Sequence, residues 1–589
     1  MGRTIRIVIG LLTVVAAIYV LRPRPAERFL PTPTLEAAPD KAGVLVVDLV
    51  DNPSDEDLQT IEMVIGNALS QSADLEWISE LSKDEGLAEG WVSDLDDAVA
   101  ALQNHPLIEV VEPAIQYGLP YDEGEVVSSS GASEGFPNDP MFEKQWNMVA
   151  MGAPAGWASS ARGKGIIVAV IDTGVSKVED LEGTELLQGA TFVPRTSSSA
   201  DDQGHGTHVA GTIAQTTNNG KGVAGVAPQA TILPVKVLSK HGYGSSSWIA
   251  AGIDYAVDEG ADVINLSLGG PYSFVIHNAI RKARKKGVIV VAAAGNSGRR
   301  GVGYPGGLRE TIGVSAIGPD GSLAFYSSYG KGVDIAAPGG DKRKPGGGVL
   351  QDTINAAGGH HYVEYQGTSM ATPHVAGAVA VLLSTGAPPD QVEQMLLKSA
   401  VGDGKWNEKY GYGKLSISNA LKRTVDHHGS TRFFIGVLFA LLVSQLAGAY
   451  GTFRTSAAAF AGVTAGGLFF LSWFALPDWT IINLISSGLL TWPAVLLGPS
   501  WMHFPLWLSA LLPAVVAFTL GATRGTRPLA LGLCCGVAAH MFHGAATGAL
   551  EPLWLPVALG QLWLTVNGTL CIAMAMALAG VEKLDEEAK

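Results

Sequence analysis

The sequence predicts an α/β protein: an open, doubly wound, mostly parallel sheet, with a small α+β module ahead of it and an all-α transmembrane bundle behind it. Three observations carry this. From Gly165 onward, short wholly apolar runs (GIIVAVI, ATILPVKVL, ADVINLSL, GVIVVAAA, ETIGVSAI, VDIAAP) alternate with helical stretches, as strands buried on both faces require. Residues 43–125 carry twenty Asp or Glu against one basic residue, Lys83. Residues 433–580 carry only five charged side chains, Arg454, Asp478, Arg524, Arg527 and Glu551, in apolar runs near bilayer-crossing length.

In chain order, the first element of the 589 residues is residues 1–28, where Arg3 and Arg6 precede fifteen uncharged residues, Ile7 to Leu21, and then Arg22, Arg24 and Arg28. This is an export signal, with Val15-Ala16-Ala17 as a small-residue cleavage site, or an uncleaved signal anchor. Either places the following region on the exported, periplasmic or extracellular side. The only cysteines, Cys534, Cys535 and Cys571, lie in the membrane block, so the exported part rests on packing or ions, without disulfides.

The acidic module follows, over 42–118. Residues 42–50 and 108–118 read as strands, 55–69 and 94–103 as amphipathic helices, which suits a βαββαβ unit. Its surrounding segment, 43–125, has a net charge of −19 against −15 for the whole chain, so the remainder is +4; removing it turns an acidic molecule mildly basic. A Ser-, Gly- and acid-rich linker, 119–135, is exposed and easily cut. No nucleic-acid partner is expected.

In the α/β region, 136–424, polar residues end the buried runs, where an open sheet gathers its functional groups. Asp172 closes the first run in IDTGV, and a carboxylate leaving a buried strand needs partners. His205 opens a helix in DDQGHGTHVAGTIAQ, with Gly on both sides allowing close approach. Ser369 heads the helix SMATPHVAGAVAVLLS at the positive end of its dipole, where alone it reads as a helix cap. Together the three form a nucleophile, its base and the group that orients the base. Asn296, in VVAAAGNSG, offers an amide NH2 to an oxyanion beside the Ser369 NH.

The segments AVIDTGV, GHGTHVAGTIA, AAAGNSG and GTSMATPHVAG resemble the four signature segments of the subtilisin-like serine proteases, a resemblance running from about Phe136 to Ala420. It implies the triad Asp172, His205 and Ser369 with Asn296 in the oxyanion hole, and peptides or proteins as substrates. It implies that the acidic module is a ferredoxin-like propeptide that inhibits the enzyme and is removed by self-cleavage between about Gly118 and Asn138. HGYGSSSWI and NLSLGG resemble the two segments that sandwich substrate as an added strand, placing Gly242, Gly244, Ser267, Leu268 and Gly269 there. The primary pocket is implied to be walled by residues 292–295, including Ala293 and Gly295, and floored by Gly303; with no acid there, it suits large apolar side chains. A structural calcium is implied at TNNGKGVAGVAP, held by the side chains of Asp139, Asp180 and Asn219 and the carbonyls of Thr217, Lys221 and Val223, although Lys221 departs from the apolar residue expected. No cofactor is expected for catalysis.

In the membrane block, the apolar stretches 433–450, 457–476, 480–498, 506–522, 528–549 and 553–580 give roughly five or six helices, followed by a charged tail, 581–589. Six strict spans put Arg524 and Arg527 outside, against the charge bias of membrane proteins. Reading 480–522, with Pro493, Pro499 and Pro505, as one irregular unit leaves five crossings and the tail inside. His540 and His543 read as helix-packing residues. The whole chain is thus expected to be a multi-pass membrane endopeptidase with its catalytic domain exported. The rival is a membrane transporter or sensor whose protease-like domain only binds peptides.

Overall fold

The computed structural model describes residues 42–50, 52–119, 125–126, 137–158, 162–355, 359–449, 451–468, 485–492, 508–547 and 557–587. The expected export segment, 1–28, and most of the linker 119–135 lie outside these. All described residues belong to one compact unit, Pro39–Lys589.

The acidic module is built from β1 (Gly43–Leu49), a helix Asp55–Leu69, β2 (Glu76–Trp77), β3 (Leu87–Val92), a helix Leu95–Leu102 and β4 (Ile108–Pro113). Its four strands form one antiparallel sheet ordered β2-β3-β1-β4. Each helix begins on a side-chain acceptor for an otherwise unpaired NH. Ser54 accepts from Asp57 N while Asp57 accepts from Ser54 N, and Asp94 accepts from Asp97 N. The inward faces, Leu58, Ile61, Ile65, Ala98 and Leu102, close on Leu45, Val47 and Leu49 as a core of their own. The chain then leaves this sheet as β5 (Gln116–Gly118) and β6 (Glu125–Val126).

The central sheet has seven parallel strands: β7 (Ile167–Asp172), β8 (Ala190–Thr191), β9 (Thr231–Lys236), β11 (Val263–Leu266), β12 (Ile289–Ala293), β13 (Thr311–Ile317) and β14 (Ile335–Pro338). Their order is β14-β13-β12-β11-β7-β9-β8, so chain direction across the sheet reverses at β7. Alternate residues of a strand face opposite sides, and in β7 they feed two cores. Val168 and Val170 pack with the helices His205–Ala214 and Thr368–Leu383. Ala169 and Ile171 pack with the helices Ser246–Asp258 and Phe274–Lys285. Outside this sheet, β10 (Tyr243–Ser245) pairs with β5, and β15 (Val349–Ile354) and β16 (His360–Tyr365) form a hairpin with β6 on its edge.

The carboxyl-terminal block is helical: Ile417–Leu446, Thr452–Gly466, Leu511–Gly521, Arg527–Thr547 and Val557–Glu587. Among the described residues, three stretches are long and apolar enough to cross a membrane, Gly429–Leu446, Arg527–Ala546 and Leu559–Asp585. Of the six expected stretches, the second meets a helix of 15 residues ending before Gly467. At 1.5 Å per residue it reaches about 22 Å, short of a hydrocarbon core of about 30 Å. Residues 469–484 and 493–507 fall outside the described set, and with them most of the third stretch. Close approach of backbones explains the small residues: a methyl at Gly466 would lie 2.0 Å from the Gly429 carbonyl oxygen, and one at Gly436 2.7 Å from that of Ala461, the packing that apolar helices use in lipid.

Candidate active site

Three adjacent strands, β7, β11 and β12, deliver their carboxyl ends to one crevice. Asp172, fully buried, is the last residue of β7. Its Oδ1 and Oδ2 stand 2.8 and 3.0 Å from His205 Nδ1, and its Oδ1 accepts from Thr173 N. His205 is the first residue of its helix, after Gly204 at φ 107°. Glycine is also required at 206, where a Cβ would lie 2.1 Å from the Gly174 carbonyl oxygen and 3.2 Å from Asp172 Cβ. The sequence reading overlooked Asp201, whose buried carboxylate joins these parts. Its Oδ1 accepts from Thr173 Oγ1, Gln203 N and Gly204 N, and its Oδ2 accepts from Thr207 N and Oγ1.

Ser369 is the second residue of the helix Thr368–Leu383, and Gly367, not Ser369, occupies the cap position. The isolated reading of the serine as a helix cap therefore does not hold. At that place its NH has no carbonyl within the helix to reach. Its hydroxyl donates to the Ser267 carbonyl at 3.0 Å, and Ser267 Oγ donates back to the Ser369 carbonyl at 2.8 Å. Ser369 and His205 line the same cavity of about 170 Å³. Asn296 accepts, through Oδ1, from Thr368 N (2.9 Å) and Thr368 Oγ1 (2.8 Å), which turns its NH2 the other way. The position a Cβ of residue 367 would take is 3.3 Å from Asn296 Nδ2 and 3.6 Å from Ser369 N. Both donors thus border one small space, as an oxyanion site needs. Two further histidines are structural: burial lowers His208 to about 3 and His374 to about 4, keeping both neutral.

A larger cavity of about 660 Å³ opens beside Ser369 and Asn296, lined by Leu268, Gly269, Ala293, Gly295 and Gly303 among others. Ala292, expected in its wall, instead lies in the apolar core behind the sheet. Arg299 and Arg300, which the sequence reading did not single out, also border the cavity; both are exposed, and Arg300 pairs with Glu408 at 2.5 Å. The cleft is filled by the protein's own chain. β5 pairs antiparallel with β10, setting Gly118 opposite Tyr243 and Tyr117 opposite Gly244. Leu119 N donates to the Gly242 carbonyl, and Gly118 bridges Gly269 on the other side. Tyr117 is buried there, donating to the Pro271 carbonyl at 2.5 Å.

The loop expected to bind calcium lies elsewhere on the domain. Asp139 accepts from Asn218 N and Asn219 N, and Asp180 accepts from Asn219 Nδ2 (2.8 Å) and Val223 N (2.9 Å). Burial raises both carboxyls, Asp180 to about 7 with Asp352 and Asp139 adding to the effect. Buried carboxylate oxygens close to one another suit a hard cation. Among the described residues no group of three or more His, Cys, Asp or Glu can hold a metal, so an ion here depends on amide and carbonyl oxygens as well. Lys221 points its ammonium at Glu179 (2.9 Å) and Glu182 (3.4 Å). Thr217 Oγ1 donates to the Gln215 carbonyl and accepts from Gly225 N, which holds the loop's shape.

Residues 163–413 match the Subtilase family, and residues 431–585 match a domain of unknown function (DUF5942). Subtilisin Savinase of Lederbergia lenta is 41% identical over 280 residues, 47% of this chain and 98% of the relative. Thermitase of Thermoactinomyces vulgaris is 40% identical over 267 residues, 45% of this chain and 91% of the relative. The Thermophilic serine proteinase of Bacillus sp. (strain AK1) is 35% identical over 333 residues, 56% and 77% of the two chains. The matched span takes in the whole sheet and the helices that carry His205 and Ser369, so the class is that of serine peptidases. The chain belongs to the subtilase family and is a serine endopeptidase.

The tight seat of Gly206 yields a prediction. Gly206→Ala pushes the His205 helix away from β7, and a shift of about 1 Å at a catalytic group costs on the order of 100-fold in rate. Steady-state kinetics on a chromogenic peptide are expected to show that loss in kcat, with KM changed only a few-fold.

Proposed function

We propose that the chain is made as a zymogen, cuts itself, and then acts as a membrane-tethered endopeptidase on the exported side of the cell membrane, with Asp172, His205, Ser369 and Asn296 in the catalytic roles. His205 takes the Ser369 proton as the hydroxyl exchanges its bond to the Ser267 carbonyl for one to the imidazole. The alkoxide attacks the peptide carbonyl, and Asp172 stabilises the imidazolium. Asn296 Nδ2 and Ser369 N receive the oxyanion. His205 returns the proton to the leaving amine, and water releases the acyl group by the same steps in reverse order.

The observation that carries the zymogen reading is the strand Gln116–Leu119, held antiparallel between Gly242–Ser245 and Gly269 beside Ser369. A substrate's amino-terminal side would bind there by the same backbone pairing. The acidic module is anchored to match. Glu112 accepts from Ser273 Oγ (2.5 Å) and Phe274 N (2.6 Å), and Glu89 from Ser247 Oγ (2.6 Å) and Trp248 Nε1 (3.3 Å). Glu112 thus caps the helix Phe274–Lys285 at its positive end, while Glu89 binds two side chains of the first turn of the helix Ser246–Asp258. The sheet order β2-β3-β1-β4 with two helices supports a ferredoxin-like propeptide. Amino-terminal sequencing of the wild type is expected to give a start between residues 119 and 138, whereas Ser369→Ala keeps the acidic module. Identical ends in both would refute self-processing. A fluorophosphonate that labels wild type and not Ser369→Ala also disposes of the rival, a transporter or sensor with an inert protease-like domain.

The primary pocket has no carboxylate among its lining residues and carries Arg299 and Arg300 at its border. Both features favour large apolar side chains over basic ones at the cleaved residue. A peptide panel is expected to rank Leu, Phe and Tyr above Lys and Arg by at least tenfold in kcat/KM, about 1.4 kcal/mol; a preference for Arg or Lys would overturn this.

Calcium held by Asp139, Asp180 and Asn219, with carbonyls of Thr217, Lys221 and Val223, would brace the domain and take no part in bond cleavage. A ligand present at a hundredfold over its Kd stabilises by about 2.7 kcal/mol. EDTA is therefore expected to lower the melting midpoint of the processed enzyme by several degrees, and Asp180→Asn to abolish that difference. A midpoint indifferent to EDTA in the wild type would remove calcium from this site.

A further inference from the structure

One helix, Ile417–Leu446, belongs to both the catalytic domain and the apolar bundle. At its start, Ser416 accepts from Asn419 N, Ile417 N donates to the Met151 carbonyl, and Asn419 Nδ2 donates to the Ser399 carbonyl. Ile417, Ala420 and Leu421 are part of the main catalytic core. At its end, Ala440 and Val443 are part of the bundle core with Phe453, Ala457, Ala461 and Cys535. The first crossing-length stretch begins at Gly429, against whose carbonyl Gly466 is packed. Residues 422–428, KRTVDHH, connect Leu421 in one core to Gly429 against the bundle, and their backbone is helical throughout. They contain neither Pro nor Gly, and their polar composition suits the aqueous edge of a bilayer. Seven helical residues span about 10 Å and the whole helix about 45 Å. A flexible linker samples a broad range of lengths, whereas a helix clamped in a core at each end allows one separation and one rotational setting.

We propose that this helix is a rigid ruler that fixes the active site at one height above the membrane, so that the substrates are membrane-anchored proteins whose extended juxtamembrane segment presents its cleavable bond at that height. The proposal rests on the membrane-tethered reading and goes further, since a tether alone selects neighbours without selecting the distance of the cut from the bilayer. The catalytic chemistry is unchanged, and the same residues hydrolyse free peptides at any distance.

The test uses the full-length processed enzyme in phosphatidylcholine–phosphatidylglycerol vesicles. Substrates share one cleavable sequence, joined to a single-span anchor by extended spacers of graded length, and the same sequence is offered as a free peptide. Wild type is expected to show a cleavage optimum at one spacer length. Seven helix-forming residues inserted between Thr424 and Val425 nearly preserve rotational phase and add about 10 Å, so the optimum should move to spacers about three residues longer, at about 3.4 Å per extended residue. A seven-residue Gly/Ser insertion at the same point should broaden or flatten the profile. Free-peptide hydrolysis within twofold of wild type shows that each variant is folded and active. A flat wild-type profile, which needs no variant, or an optimum unmoved by the helical insertion would overturn the ruler while leaving the tether intact. Failure of the enzyme to float with the vesicles would overturn the tether, and the ruler with it.

Discussion

The buried Asp201 carboxylate is the constraint on which the mutual placement of Asp172 and His205 depends. A carboxylate taken out of water is costly unless its oxygens are satisfied, and burial does raise the carboxyl of Asp201 above its ordinary range. It is held by five donors: four lie on or before the first turn of the His205 helix, and the fifth is the Thr173 hydroxyl at the end of β7. Thr173 Oγ1 in turn accepts from Gly206 N at 2.9 Å. The strand that carries Asp172 and the helix that carries His205 are therefore joined through one anion. Lys236 reinforces the joint, its buried ammonium donating to the Thr173 and Leu238 carbonyls and to Asp202. The Asp172–His205 distance follows from these bonds and from the absence of a side chain at Gly206.

The same logic, carboxylates placed at helix starts, holds the acidic module against the enzyme. Glu112 satisfies the unpaired Phe274 NH at the start of one helix, Glu89 accepts from the Ser247 hydroxyl at the start of another, and Lys282 meets Glu85 at 3.4 Å. Charge of opposite sign on the two parts brings them together, while apolar burial of Tyr117 against Gly270 and Pro271 orients the tail in the cleft. Burial raises the Glu112 carboxyl, so the contact carries a desolvation cost.

Much of this is legible in the sequence because Asp172 and Asn296 lie at or just beyond the ends of apolar strands, and His205 and Ser369 at the starts of helices, where a polar residue is conspicuous. The roles proposed for Asp172, His205, Ser369 and Asn296 rest on their joint chemistry and on the family resemblance of their segments, and the parallel sheet on six apolar runs, which account for every strand but the two-residue β8. Asp201 was not legible, because its role depends on partners at 173 and 203–207 that only the folded loop gathers. Arg299 and Arg300 were missed because a loop residue's position at a pocket border leaves no periodic trace. The helix Ile417–Leu446 was divided in two, with a catalytic domain ending at 424 and a membrane domain starting at 433. Hydrophobic patterning lapses across KRTVDHH, yet a helix needs an apolar face only where it packs, and its backbone continues through the polar stretch.

That continuous helix also bears on the puzzle of Arg524 and Arg527. Gly466 packs on Gly429 and Gly462 on Phe433, so the helix Thr452–Gly466 runs back toward the catalytic domain. At the opposite end a Cβ at Gly448 would lie 3.5 Å from Lys583. Arg524 pairs with Glu582, and Arg527 with both Glu582 (2.6 Å) and Asp585 (2.8 Å), the Arg527–Glu582 pair being 4% exposed on each side. The two arginines, Lys583 and the start of the charged tail thus gather at the end of the bundle away from the catalytic domain. On the tethered reading with the catalytic domain exported, that end is cytoplasmic, the side that basic residues favour. The ion pairs lower the cost of burying these charges near the bundle's edge. From this end the helix Arg527–Thr547 goes out and Val557–Glu587 returns. On that reading Arg524 and Arg527 need no exception to the charge rule.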